Sequence, residues 1–343
     1  MKEKENRLPA AEAKSAKKEK AGKRKTRSLK KAFIVGLCAV FALAAIIFLA
    51  LAFSDAYSIT HPERISAKRF PDDSDIGLYY EASTVKFENG AETVLWFIPA
   101  QDTTTAESKK SDITVIFSHD AGDNKTVSKI DDGILYARQL VDAGVNVATF
   151  DYSGSGFATG SGYTYGAREA EELKQIISYV KKRYPSKHIV LQGWGFGASA
   201  AILAGADNDD VTAVIADAAY TDSNKYFNED GGLEKWSSMP SWTTKLTKLF
   251  VAALADGDIF GQKPIEAVSK KNSQAWFFIG EKNDGVFSPD YAGELSAAAT
   301  KAGNNTRFWI SKSGYHAQAY RTDEKNYVEK TLNFIESVCK QSN

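Results

Sequence analysis

The stretch HIVLQGWGFGASAAILAG, His188 to Gly205, reads as an apolar strand, a glycine-rich turn and a helix of small residues. A strand–turn–helix of this kind serves acyl transfer, because the sharp turn lifts a serine hydroxyl to where a base can take its proton. Here the middle position of the turn is Gly195, which has no side chain to attack with. Four other hydroxyls deserve weighing, those of Ser118, Ser153, Ser155 and Ser199. An attacking oxygen must come within about 3 Å of its base and aim at a bound carbonyl. Ser118 ends a strand, and Ser199 lies one helical turn past the elbow and should face away. Ser153 and Ser155 fall in the loop DYSGSGFATGSGYTYG, which reads as a wall of the pocket with Tyr163 and Tyr165 as rim aromatics.

Other chemistries lack their donors. The four histidines (His61, His119, His188, His316) are scattered, with no metal-ligand spacing, and no phosphate-binding loop occurs. GSGFATG follows a strand but lacks the surroundings of a dinucleotide fingerprint. No metal and no cofactor are expected.

The elements that must position the turn are continuous apolar strands alternating with amphipathic helices. ITVIFSH, NVATFDY, HIVLQG, VTAVIADAAY, AWFFIGEKND and TRFWISKSGYH read as strands. In the helix expected at 167–184, Leu173, Ile176, Ile177 and Val180 share one face, and Pro185 closes it. This alternation predicts an α/β fold, a mostly parallel sheet covered by helices on both faces. ASTVKFEN and ETVLWFIPA around Asn89-Gly90 predict an antiparallel hairpin at one edge. Residues 220–273 interrupt the alternation and read as a small helical cap. Its clearest helix carries Trp242, Leu246, Leu249 and Phe250 on one face. Tyr220, Tyr226, Phe227, Trp236 and Trp242 either line a pocket beneath the cap or pack it onto the sheet.

In this order the motifs resemble the α/β-hydrolase superfamily, and within it bacterial membrane-anchored hydrolases akin to the serine aminopeptidase and prolyl oligopeptidase groups. The likeness runs from about Glu81 to Ser337 through FSHDAGDN, DYSGSGFATG, GWGFGA, ADAAYTD, NDGVFSP and GYH. It implies an α/β-hydrolase fold with Gly195 at the nucleophile position, Asp284 as the acid and His316 as the base. It also implies oxyanion amides from Phe196 and the Asp120–Ala121 turn, and a pocket touching Trp194, Tyr220 and Ser153. Two positions depart from the pattern. One is Gly195; the other is Asp120, where such turns usually carry glycine. A carboxylate aimed inward there opposes an oxyanion, whereas one turned outward does little harm. Glycine at the elbow relaxes a backbone strain of about 1–3 kcal/mol that other residues bear.

Net charge is zero but uneven. Residues 1–31 hold 13 lysines and arginines against 4 glutamates, so the remaining chain carries nine excess negative charges. The basic part reads as a tail, and no nucleic-acid partner is expected. Ala32 to Phe53 then runs 22 residues without a charge, roughly 30 Å as a helix. A single transmembrane anchor is the first reading, with a cytoplasmic tail and an extracellular C-terminal domain in the cell membrane. A cleaved signal peptide is the rival, since Ala50-Leu51-Ala52 offers a cleavage site. The expected organisation is a basic tail at 1–31, a membrane helix at 32–53, a linker at 54–80 and the hydrolase-like domain at 81–343. Cys38 and Cys339 are too far apart in role to staple that domain.

Two functional expectations follow. One is a pseudo-hydrolase that binds a small acyl, ester or peptide ligand, or a partner, without turnover; adhesion proteins of the neuroligin type also carry glycine in place of the nucleophile. The other is an active serine esterase or peptidase whose displaced nucleophile, Ser153 or Ser155, works with His316 and Asp284. Retention of the acid and the base favours the second.

Overall fold

The computed structural model describes residues 10–105, 107–127, 132–237, 240–312 and 314–341. The chain forms two compact units, Met1–Ser54 and Asp55–Asn343. In the first, the helix α1 (Ala10–Thr60) begins; its Lys14–Thr60 stretch is long and apolar enough to cross a membrane. Apolar side chains such as Phe33 and Phe41 stand exposed along it.

The helix does not stop at Phe53, where a linker was expected. Nothing in SDAYSIT breaks a helix, and the first breaker is Pro62. The second unit therefore starts at Asp55 instead of residue 81. Ala56, Ile59 and Thr60 are buried in it, and Ile76 and Leu78 of the supposed linker join its core. Tyr163 donates its amide to Thr60 O at 2.7 Å, and the Tyr165 hydroxyl donates to Ile59 O. This is why Tyr163 and Tyr165 are core residues and not the rim aromatics the sequence suggested.

The second unit contains β1 (Glu81–Lys86), β2 (Glu92–Ile98), β3 (Ile113–Ser118), α2 (Gly133–Asp142), β4 (Asn146–Thr149), α3 (Ala167–Arg183), β5 (His188–Trp194), α4 (Phe196–Gly205) and β6 (Ala213–Asp217). The insertion follows, with a π turn at Lys225–Glu229, α5 (Gly232–Trp236), a 3-10 turn at Ser241–Thr243 and α6 (Thr244–Leu254). Then come α7 (Pro264–Val268), β7 (Ala275–Glu281), α8 (Asp290–Lys301), β8 (Thr306–Ser311), α9 (Ala319–Thr322) and α10 (Glu324–Gln341).

The eight strands form one sheet in the order β1-β2-β4-β3-β5-β6-β7-β8. β1 and β2 are antiparallel, β2 meets β4 antiparallel, and the rest run parallel. Burial follows position. Every residue of β4, β5, β6 and β7 is buried, as strands covered on both faces require, whereas the edge strands β1 and β8 are partly open. α3 shows how local chemistry fixes a helix start. The buried Glu169 carboxylate accepts from the amides of Gly166 (2.8 Å) and Thr164 (2.9 Å), capping otherwise orphaned donors.

Candidate active site

The glycine turn lies where β5 hands over to α4 and its outer glycines are set by contact. A Cβ on Gly197 would stand 2.3 Å from the carbonyl oxygens of both Ser118 and His119, and one on Gly193 would stand 2.5 Å from Gly197 O. Only hydrogen at these positions lets α4 approach β3 so closely. Gly195 between them has φ +58° and ψ −125°, the tight elbow conformation that side chains resist. The elbow geometry is thus kept although its usual side chain is absent.

The carboxylate of Asp120 occupies that vacated volume. A Cβ built on Gly195 would lie 2.3 Å from Asp120 Oδ1 and 2.5 Å from its Cγ. The Phe196 amide, expected to serve an oxyanion, donates to Asp120 Oδ1 at 2.7 Å. Asp120 Oδ2 stands 3.6 Å from His316 Nε2, an ion-pair distance and not a hydrogen bond. The side chain is turned inward, so the outward alternative weighed from sequence does not apply.

The Phe196 amide holds the carboxylate inward, and the residue before Asp120 fixes the backbone behind it. His119 Nε2 accepts the amide of Tyr152 at 3.1 Å, so its proton is on Nδ1, which donates to Asp120 O at 2.8 Å. Burial pushes the His119 pKa down against several nearby carboxylates, keeping the ring neutral. Ser118 Oγ bonds Gly197 O (2.7 Å) and Tyr152 Oη (2.6 Å) on the other side. Farther along, Lys125 donates its amide to Asp151 Oδ1 (2.7 Å), and its Nζ lies 3.2 Å from Asp151 Oδ2. That Nζ also donates to Val94 O (2.6 Å) and sits 4.5 Å from the Trp96 ring centroid. The segment carrying Asp120 is therefore clamped at both ends by fully buried partners.

The other half of the site is formed by the loops after β7 and β8. Asp284 Oδ1 accepts the amides of Val286 (2.7 Å) and Phe287 (2.9 Å), which leaves Oδ2 to meet His316 Nδ1 at 2.8 Å. Phe287 stands edge-on to the imidazole, with centroids 4.9 Å apart. Burial opposes charge on His316, but the carboxylates of Asp120 and Asp284 on its two sides outweigh it and push its pKa up to about 10. At neutral pH the ring is an imidazolium. A base must be neutral to accept a proton, and a pKa raised this far opposes that role at neutral pH.

The remaining expected site residues divide. Tyr220 packs against Phe196 and Phe287, with centroids at 5.8 and 5.9 Å, and donates to Tyr165 O. Trp194, expected at the pocket, is core: it lies edge-on to Phe117 at 5.0 Å and is buried. Ala121 is buried beside Asp120. Ser153 Oγ accepts from Asn89 Nδ2 at 3.3 Å and opens on a groove with Thr159, Arg168 and Asp256. Ser155 is buried with its amide on Tyr152 O, and Ser199 Oγ accepts the Tyr220 amide. Among the described residues His316 Nε2 has no hydrogen-bond partner, so none of these hydroxyls touches it in the manner of a nucleophile.

The cap covers this arrangement with aromatic rings. Phe196 meets Tyr165 (4.7 Å), Phe287 (4.9 Å), Tyr226 (5.6 Å) and Trp236 (5.8 Å), and His316 and Asp120 are nearly sealed. Trp242 is the exception: it is exposed, as is Leu249, while Leu246 and Phe250 of the same helix are half-buried. The single apolar face expected of that helix is split between inside and outside.

Sequence reasoning missed two acids beneath the dyad. Asp217 and Glu281 end β6 and β7 and are fully buried. Asp217 Oδ2 accepts from Tyr327 Oη at 2.8 Å, and burial pushes its pKa up to about 6. The signal was available, a lone acid closing each of two apolar strands.

No protein-family model matches the chain. The uncharacterised protein YqkD of Bacillus subtilis is 24% identical over 208 residues, which is 59% of this chain and 66% of that protein's length. Among solved structures, the esterase Pf2001 of Pyrococcus furiosus superposes with a TM-score of 0.66 at 20% identity, covering 82% of this chain and 99% of that one. A bacterial brefeldin A esterase gives 0.59 at 13% identity over 85% and 87%. A puromycin-hydrolyzing peptidase of Mycobacterium tuberculosis gives 0.58 at 14% identity over 78% and 40%. The chain has the α/β-hydrolase fold, with one long apolar helix near its N-terminus.

Proposed function

We propose that this protein is a membrane-anchored, extracytoplasmic α/β-hydrolase-fold protein whose serine-type chemistry is switched off, and whose C-terminal unit binds a ligand or partner without turning it over. The observation that carries the reading is the Asp120 carboxylate. It fills the nucleophile's volume, takes the Phe196 amide and holds His316 charged. Each effect alone slows acyl transfer; loss of the nucleophile by itself typically costs about 10⁶ in turnover. The uncharged run at 32–53, preceded by a basic tail, supports anchorage with the C-terminal unit outside. The alternative of a displaced serine finds little support, because among the described residues neither the Ser153 nor the Ser155 hydroxyl bonds His316 Nε2.

The test is covalent labelling by a fluorophosphonate. The native protein stays unlabelled. Gly195→Ser alone also stays unlabelled, since its Cβ meets Asp120. Combining Gly195→Ser with Asp120→Gly restores labelling, because the elbow, the amide and the dyad are then free to act together. Labelling of the native protein overturns the reading.

A further inference from the structure

We propose that the outward face of the cap docks on the surface of the bilayer that holds α1, an inference that rests on the membrane-anchor reading of that helix. α6 has two unlike faces. Thr247 and Val251 point into the unit and are buried, whereas Lys245 and Leu249 face out, as does Trp242 in the 3-10 turn that leads into the helix. Trp242 is 74% exposed and Leu249 65%, the two most exposed large apolar side chains among the described residues of the second unit. They are seven residues apart in sequence with Lys245 between them, while Lys248 is half-buried and its ammonium lies over the Phe260 ring, 4.8 Å from the centroid.

Soluble surfaces seldom leave a tryptophan and a leucine side by side in water. An indole with leucine and a lysine on one exposed side is the pattern of a helix lying in the headgroup layer. Tryptophan favours that depth, and a lysine stem can follow it while its ammonium stays with the phosphates. Anionic headgroups supply the matching charge, and the match matters because residues 32–343 are otherwise acidic.

Position makes the bilayer the occupant. Ser237, the residue after α5, donates its hydroxyl to Asp55. Asp55 is two residues past Phe53, where the uncharged run ends. The cap is thus fastened, between α5 and α6, to a residue just beyond the proposed span, and the headgroup layer is the surface this tether holds closest.

Tryptophan emission reads the contact directly. The chain has six tryptophans, none before Trp96. Trp242 is the exposed one; Trp96, Trp194 and Trp276 are buried, and Trp236 and Trp309 are half-buried. The full-length protein is placed in nanodiscs of phosphatidylcholine and phosphatidylglycerol, with plain or brominated acyl chains. Bromine should quench emission by up to the share of one tryptophan in six, and Trp242→Phe should abolish that loss without altering the circular dichroism. Lys245→Glu should weaken quenching at low salt. If the protein fails to co-migrate with the discs, the anchor reading falls and the docking falls with it. If it co-migrates but Trp242 is quenched by aqueous acrylamide and not by bromine, docking alone is overturned. Shielding from both quenchers with two copies per disc also overturns it and assigns the face to self-association.

Discussion

The two halves of the site have fared differently. The acid–base half keeps every contact that proton transfer needs: Asp284 is oriented by two amides and holds His316 at 2.8 Å. The glycine-turn half offers only its backbone. The elbow still bends at Gly195, but a carboxylate from the neighbouring turn has entered the space a side chain would use. The lesson is electrostatic. An acid–histidine pair is a base only while its far nitrogen faces something neutral. With Asp120 opposite, the imidazole lies between two carboxylates, Asp284 at 2.8 Å and Asp120 at 3.6 Å.

That contrast can be broken most forcefully at the clamp. Lys125→Met leaves Asp151 charged and unpaired in the core, and should destabilise the unit by about 3–5 kcal/mol in urea unfolding. Because this clamp holds one end of the segment that carries Asp120, the His316 pKa should also fall in the folded fraction, as NMR titration would show. A smaller change sharpens the comparison. Asp120→Asn removes one of the two carboxylates, and NMR titration should find the His316 pKa lowered by about 1–3 units. Stability should follow. The native His316 pKa, about 10, lies above its unfolded value of 6.5, so its contribution is complete below pH 6.5 and lost as pH rises through 10. The variant should lose less stability across that window, as thermal melts at pH 6, 8 and 10 would reveal. The smallest effect belongs to Ser153→Ala, which should leave fluorophosphonate reactivity unchanged in the native and in the doubly substituted protein.

How much of this was legible in the sequence depended on range. The strands, the Asn89-Gly90 hairpin and the helix at 167–183 were readable because periodicity and turn residues act locally. The elbow was readable for the same reason. The direction of Asp120 was not, because its carboxylate is held by the Phe196 amide, 76 residues away. Tyr163 and Tyr165 looked like rim residues because their cover, Ile59 and Thr60, is about a hundred positions distant. Position in the chain made Ser153 a candidate nucleophile; its partner Asn89, across the hairpin, takes it out of contention. The cap was the least legible part, since an insertion packs by long-range contacts that leave no short pattern.

The burial of Ala56, Ile59 and Thr60 sets terms for any release of this unit from its tether. A protease cutting after Thr60 would strand the Tyr163 amide and the Tyr165 hydroxyl without acceptors and open an oily slot beside them. The fragment shed would be wounded and prone to clump. Release of a sound form of this unit requires scission ahead of Asp55. The last turns of the long apolar helix are thus a part of the second unit's fold, and that unit is whole only with them.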